Sequence, residues 1–345
     1  MNSLKKIDIV IPCYHAHSTL PRTLASIASQ TIIDQCSVWV CNDAGGDDYH
    51  DIVAQFEGLM DIHELTLPIN GGCGVARQYG IDHSHAPYWI CQDADDTFAS
   101  SFALYILLHY MEENEKNVVV SGAFAEEIEG HQFVTHQNDM VWMHGKLYRR
   151  AFMDKYGLRF NWTRSNEDNG LNTVVRLIAN PNEKIVFIPD IVHYWHYKED
   201  SITRINNHEY TYNQSFIGYA DNMTWAIETL RKVQPMGKKA DEWAITVMAE
   251  MYIYYLQTVN RDPRFRLQNF NRSVKFFDEI YYAFVDHIPK PIQDQYFAQT
   301  LKARAAAMEG IVPHITIWQF IEQLKGGYIT DVAVTDQKIA ITANV

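Results

Sequence analysis

The sequence predicts an α/β protein, a mostly parallel and doubly wound sheet flanked by helices, with a helical region after it. Three observations carry this. Short β-rich runs alternate with helix-period segments up to about residue 205. The strand-like runs stop at polar turns, Asn42-Asp43-Ala44-Gly45-Gly46 and Asp93-Ala94-Asp95-Asp96, and in wound sheets ligands bind beyond the carboxyl ends of strands. From His208 onward the pattern is helical, punctuated by Pro235, Pro263, Pro289 and Pro313. The expected domains are 1–207 and 208–345.

Ile7–Ile11 is a β-branched run stopped by Pro12 and reads as the first strand. Leu20, Leu24, Ile27 and Ala28 recur at helical spacing. Ser37–Cys41 is a second strand, and Asp47 is placed to cap the helix after it. A third strand spans 62–67, and Asn70-Gly71-Gly72-Cys73-Gly74 opens a helix that carries Arg77. Pro87 leads into a buried strand, Tyr88–Cys91, which ends in three carboxylates within four residues. Further on, 102–110 reads as a helix, 118–120 as a strand and 128–133 as a hairpin with a polar turn. Arg164–Asn169 opens a helix to about Ala179 with Ser165 or Asn166 as N-cap, followed by strands 185–188 and 191–197. Helices are expected at 216–232, 240–257, 270–284 and 292–308; the stretch after Gly326-Gly327 has no assignment.

Hydrophobic content of 47% and charged content of 21% are those of a core-forming protein. The net charge of −13 is uneven: residues 1–228 hold 15 Lys+Arg against 30 Asp+Glu, and residues 229–345 hold 14 against 12. An acidic main domain excludes a non-specific grip on polyanions. The tail groups Arg261, Arg264, Arg266, Arg272 and Lys275, which reads as a solvated face or as a modest basic surface. The five cysteines show no metal-type pairing and read as reduced core residues. No run of about 18 apolar residues occurs, and the N-terminus lacks the core of a signal peptide. A cytoplasmic protein without a membrane span is expected.

Three anions at one strand end repel each other. A magnesium or manganese ion on hard oxygen ligands would compensate; an acidic surface turn is the other reading. The Gly-rich turn lacks the G-x-G-x-x-G spacing and lies after the third strand, yet amides at a helix N-terminus with Arg77 behind them suit a phosphate. In Trp142–Arg150 aromatic and basic residues interleave, as a wall for a sugar and its diphosphate through Lys146, or as buried aromatics at a domain edge. Glu167 and Asp168 stand in the first turn of a helix, where the macrodipole favours acids; a crevice-facing carboxylate there could also take a proton from a bound hydroxyl. His193 and His196 are on opposite strand faces, so at most one faces the crevice.

The order Val10-Ile11-Pro12-Cys13-Tyr14, Asn42-Asp43, Gly74-Val75-Ala76-Arg77, Asp93-Ala94-Asp95-Asp96, Lys146-Leu147-Tyr148-Arg149 and Glu167-Asp168 resembles the family 2 glycosyltransferases. These are inverting enzymes of the GT-A fold that use nucleotide-diphosphate sugars. The likeness covers about residues 5–205. It implies that Pro12 and Tyr14 sit by the base, and that Asp43 and Asp93 hold base or ribose. It implies that Gly74, Arg77, Ala94 and Lys146 line the nucleotide sugar, and that Asp95, with Asp93 and His196, binds the metal. Asp168 is the implied general base, with Glu167 as runner-up. Two departures stand out: Ala44-Gly45-Gly46-Asp47 replaces the usual Gly-Ser-x-Asp, and Lys198 stands where an arginine often follows.

The expected function is therefore metal-dependent inverting transfer of a sugar, from a UDP-sugar first of all, to an acceptor hydroxyl. With no membrane anchor in view, the acceptor would be a glycan, a protein or a hydroxymethylated base in DNA. The C-terminal helices would shape the acceptor site or make a homo-oligomer. The rivals are a catalytically inactive nucleotide-sugar binding or scaffold protein, and a nucleotidyltransferase. The retained acids argue against the first, and Cys13-Tyr14-His15-Ala16, which is not a lysine-bearing Gly-rich loop, against the second.

Overall fold

The structure, a computed structural model, describes residues 5–199, 208–234, 238–261, 277–307, 316–319, 322, 332–335 and 338–341. The chain divides into two compact units, Met1–Arg204 and Ile205–Val345. The expected boundary at 207/208 borders a stretch, 200–207, that lies outside the described residues.

The first unit alternates β1 (Ile7–Cys13), α1 (Leu20–Ala28), β2 (Cys36–Asn42), α2 (His50–Ala54), β3 (Asp61–Thr66), α3 (Cys73–His83) and β4 (Tyr88–Cys91). It continues with β5 (Thr97–Phe98), α4 (Ala103–Glu112), β6 (Asn117–Ile128), β7 (Gln132–His136), β8 (Lys146–Arg149), α5 (Arg150–Tyr156), α6 (Glu167–Ile178) and β9 (Lys184–Trp195). The strands form one sheet in the order β3-β2-β1-β4-β8-β6-β9-β5, with β7 on β6. Strands β1 to β4 are mutually parallel, β8 runs antiparallel between β4 and β6, and β6 pairs with β9 in parallel. The order reverses at β1, which has β2 on one side and β4 on the other. A wound sheet opens a ligand crevice at such a switch point, here beyond Cys13 and Cys91.

Four local expectations change. Strand β1 runs through Pro12 to Cys13. Val10 O accepts from Gln92 N at 3.0 Å and Cys13 O accepts from Asp43 N at 2.8 Å, so Pro12 faces the β4 side. Pairing with β4 ends at Val10↔Cys91, and the missing N–H therefore costs no ladder bond. Asp47 does not cap α2: Asp48 Oδ1 accepts from His50 N at 3.0 Å, while Asp47 Oδ2 accepts from Tyr49 Oη at 3.1 Å. The expected strands 185–188 and 191–197 are one strand, β9, which pairs Ile188 with Gly122 and Ile191 with Ala123, so Pro189-Asp190 is a bulge. Likewise 118–120 is part of β6, whose long run leads into the expected hairpin with β7. Both β-rich runs of β9 pair with that same strand, which is why the proline between them does not end it.

On one sheet face Ile9, Ile11, Val38, Val40 and Ile90 pack against Leu24, Ile27, Leu104 and Leu107. On the other, Trp89 stacks on Tyr148 at 4.3 Å and an interplanar angle of 13°; such pairs add about 0.5–1.5 kcal/mol beyond their area. Cys13, Cys36, Cys41 and Cys91 are buried free thiols, and Cys73 is exposed at the start of α3.

The second unit contains α7 (His208–Val233), α8 (Lys238–Arg261), a π-helical turn (Tyr281–Val285), α9 (Lys290–Ala307) and an antiparallel pair, β10 (Val332–Thr335) with β11 (Lys338–Ile341). Met223, Ile227, Ala244, Met248, Met251, Tyr252, Phe277, Tyr281, Phe297 and Leu301 form its core. The expected helix 270–284 is described only from residue 277, and Arg264, Arg266, Arg272 and Lys275 lie outside the described residues.

Candidate active site

Four segments meet at the switch point: the turn after β1, the Asp43 turn after β2, the acidic turn after β4, and the start of α6. Pro12 is buried in the strand, and Tyr14 beyond it is 54% exposed. The Tyr14 ring packs against Gly45, where a Cβ would come to 2.9 Å from its Cδ2. An exposed aromatic face at this place suits a nucleobase.

Asp43 ties the Gly-rich turn to β2. Its Oδ1 accepts from Gly71 N at 2.7 Å, and its Oδ2 accepts from Gly72 N at 2.8 Å and from Asn70 Nδ2 at 3.0 Å. A carboxylate offers about four lone-pair sites, so one remains for a ligand. Gly72 has φ +90°, the left-handed region open to glycine. Arg164 donates to Asn70 Oδ1, and to its carbonyl at 3.1 Å. Neither Asn70 nor Arg164 was foreseen as a site residue; their pairing across 94 positions leaves no mark in a single sequence.

Arg77 is 4% exposed. Its Nη2 donates to Asp93 Oδ1 at 2.7 Å and its Nη1 to Glu167 Oε1 at 2.9 Å. The guanidinium expected on a phosphate is thus engaged with two carboxylates, and it fastens the end of β4 to the start of α6. Gly74 makes this possible, since a Cβ there would meet Glu167 Cγ at 2.6 Å. Burial pushes the Asp93 carboxyl up, but Arg77, with help from His144, holds it below the usual carboxylate range.

Asp95 is the accessible acid of the turn, 39% exposed at its side chain, with Lys198 Nζ at 3.9 Å. Burial and the neighbouring Asp93 raise its pKa. Its oxygens, with the second oxygen of Asp93, are hard donors of the kind magnesium and manganese take, and they fit such an ion. His196 fits less readily. Its Nε2 is 2.8 Å from Thr97 Oγ1 and its Nδ1 is 3.4 Å from Glu127 Oε2, so one contact must be given up for it to ligate. Ala94 is buried between the acids at 7% exposure. Lys146, expected toward the diphosphate, is fully buried and donates to Asp139 Oδ2 at 2.7 Å and to His144 O at 3.3 Å. Burial lowers its pKa, against the pull of Asp139.

Glu167 and Asp168 part company at the helix start. Glu167 is buried and held by Arg77. Asp168 is half-buried, and its Oδ1 accepts only from the adjoining Asn169 N, at 2.7 Å, among the described residues. Burial, then the charge of Glu167, raises its pKa to about 7. A carboxylate with an uncommitted oxygen and a pKa near neutrality is equipped to accept a proton.

The model of "Glycosyl transferase family 2" matches residues 8–165. The poly(ribitol-phosphate) β-N-acetylglucosaminyltransferase TarP of Staphylococcus aureus (strain N315) is 22% identical over 200 residues, 53% of this chain and 60% of that protein. A glycosyltransferase of Escherichia coli (strain K12), YibD, is 29% identical over 96 residues, 28% of each chain. The chain thus spans less than two thirds of these curated relatives. Among solved structures, S. aureus TarS 1–349 in complex with UDP-GlcNAc superposes with a TM-score of 0.63 at 17% identity, covering 98% of this chain and 97% of that one. The full TarS structure gives 0.64 at 16% identity and 99% of this chain, but 59% of its own length. At these identities the structures speak for the fold.

Proposed function

The chain belongs to glycosyl transferase family 2 with a GT-A fold, and from that premise we propose that it transfers a sugar from a UDP-sugar to an acceptor hydroxyl, with inversion and Asp168 as general base. The observation that carries this is the division of labour at the start of α6. Arg77 occupies Glu167, while Asp168 keeps an oxygen and a pKa raised to about 7. The base and ribose would lie between Tyr14, Asp43 and Asp93, and the diphosphate would face Asp95. A divalent ion held by Asp95 and Asp93 would supply Lewis-acid neutralisation of the departing diphosphate. Asp168 takes the hydroxyl proton late, as positive charge builds on the sugar ring. TarP, named for N-acetylglucosamine transfer, and TarS, solved in complex with UDP-GlcNAc, make UDP-GlcNAc the donor to try first. The acidic first unit disfavours a polyanionic acceptor held there, and a glycan hydroxyl is the acceptor class proposed. Among the described residues no helix is long and apolar enough to cross a membrane.

The test is UDP release from a panel of UDP- and GDP-sugars with manganese. We expect turnover with UDP-GlcNAc that Asp168→Asn lowers by about 10²–10⁴-fold, with UDP affinity by calorimetry near wild type. Equal loss of UDP affinity would make Asp168 a cap of α6 and remove the base assignment. Absence of turnover with every donor, despite UDP binding, would favour the binding-protein reading.

A further inference from the structure

Beside the donor crevice, three buried side chains converge on one point. Asp96 closes the acidic turn, His144 lies in the loop before β8, and His193 stands near the end of β9. His193 Nε2 is 3.2 Å from Asp96 Oδ2 and His144 Nδ1 is 3.8 Å from the same oxygen. The candidate ligand atoms all lie within 4.8 Å of one another. The residues are 1%, 6% and 1% exposed, so a donor sugar in the crevice does not reach them. We propose that Asp96, His144 and His193 form a closed site for a transition-metal ion of the zinc class, distinct from the ion expected on the diphosphate.

The two spacings to Asp96 Oδ2 are near those of ligands around one small ion. Atoms about 2.0–2.2 Å from a tetrahedral zinc stand roughly 3.3–3.6 Å apart, and 3.2 and 3.8 Å bracket that interval. Two imidazoles and one carboxylate are a zinc-type donor set, whereas the oxygens of Asp93 and Asp95 suit harder ions. Water would complete the tetrahedron.

Charge points the same way. Arg77 answers Asp93, and Lys198 stands near Asp95. Among the described residues the only ion-pair partners of Asp96 are the two histidines. Among the described residues no lysine or arginine pairs with this buried carboxylate, and a divalent ion would supply the counter-charge.

The surroundings are built to hold the three in place. His196 N donates to Asp96 Oδ1 at 2.9 Å, leaving Oδ2 for the rings. His144 stacks on His193 at 4.6 Å, and Phe124 meets both rings edge-on. Among the described residues His193 Nδ1 has no hydrogen-bond partner, so the polar anchoring of that ring rests on whatever meets Nε2. Gly145 has φ +63°, and a Cβ there would come within 2.8 Å of Val192; its absence lets the His144 loop lie against β9.

The test uses the full chain produced in zinc-supplemented medium and passed through a desalting column with EDTA. We expect about one zinc per chain to survive, and cobalt(II) exchanged into it to give the strong visible bands of a four-coordinate ion. His144→Ala and His193→Ala should lose both signals. Asp95→Ala should keep the zinc while weakening manganese binding read by electron paramagnetic resonance. Wild-type chain that retains no zinc and gives no cobalt bands would overturn the proposal without any variant having to fold. Retention of zinc by both histidine variants, or its loss in Asp95→Ala, would also overturn it. None of these readouts depends on transfer activity, so they stand apart from the test of the base.

Discussion

Removing the Arg77 guanidinium while keeping a long apolar stem, Arg77→Met, strikes the joint on which the site is assembled. Arg77 is 5% exposed at its side chain, with partners Asp93 at 27% and Glu167 at 9%. Breaking a buried pair by deleting one partner typically costs about 3–5 kcal/mol, because the remaining charge stays buried without compensation. Here Glu167 should carry most of the cost, since solvent reaches Asp93 in part. The suitable assay is amide hydrogen exchange of β4 and α6, which reads local opening without assuming that a two-unit chain unfolds in one step. At 1.4 kcal/mol per tenfold, a cost of about 3 kcal/mol lowers protection there by more than 100-fold.

The pH dependence of that experiment has a definite sign. In the wild type Asp93 titrates below its usual range. Its contribution to stability is therefore complete above the unfolded value of about 3.9 and is lost as pH falls through the depressed folded value. In Arg77→Met the opposing guanidinium is gone, and burial alone raises the Asp93 pKa. The group then opposes folding at pH 7 and ceases to as acidification protonates it, so the cost of the substitution should shrink between pH 7 and 4. A loss of protection below tenfold at pH 7, or one independent of pH, would refute the view that Arg77 is the clasp between β4 and α6.

Other outcomes follow from the same geometry. Transfer should rise with pH through about 7 as Asp168 loses its proton, and Glu167→Gln, which removes a raising charge, should move that limb to lower pH in a pH–rate profile; an unmoved limb would assign it to another group. Asp95→Ala, or wild type in excess EDTA, should lose turnover in the UDP-release assay, and full activity would end the divalent-ion reading. Gly74→Ala drives a methyl group to 2.6 Å from Glu167 Cγ and should cost about 1–3 kcal/mol by urea titration, with under 0.5 kcal/mol counting against close packing of α3 on α6. Lys146→Met leaves Asp139, which also accepts from Val141 N and Trp142 N, without its cation, and should lower stability by about 3 kcal/mol at pH 7.

The sequence was legible wherever one strand or one turn carried the message. The β-rich runs at 7–11, 37–41 and 88–91 lie in the parallel half of the sheet, because strands buried on both faces are mostly apolar; the exception, Asp8, is answered by Arg150. The acidic turn and the Glu167-Asp168 pair were visible as local clusters. What was not legible is pairwise and long-range. That Arg77 meets carboxylates 16 and 90 positions away, or that Lys146 meets Asp139 inside the core, depends on which residues the sheet order brings together. His144 was passed over because a histidine among aromatics has no local signature; β9 had to fold beside its loop to give it a partner. Pro12 and Pro189 misled for the opposite reason: a proline breaks a strand only where its missing N–H has a ladder position to fill.

One arginine explains why two adjacent acids at the start of one helix do different work. Consecutive residues in a first helical turn point in directions about 100° apart, so Glu167 and Asp168 cannot share a partner. The close approach allowed by Gly74 puts Glu167 on the α3 side, where Arg77 engages it. Asp168 is left with a neighbouring negative charge, a half-buried setting and one amide bond, and all but the last favour its protonated form. Arg77 works against that tendency, but it is already divided between Asp93 and Glu167. Had the guanidinium been free for a phosphate, Glu167 would have lost its anchor, and the two acids would compete for one proton. The same side chain therefore fixes the acidic turn after β4 and keeps the neighbouring helix start poised near neutral pH, which couples the expected diphosphate side of the crevice to its proton-accepting side through a single buried cation.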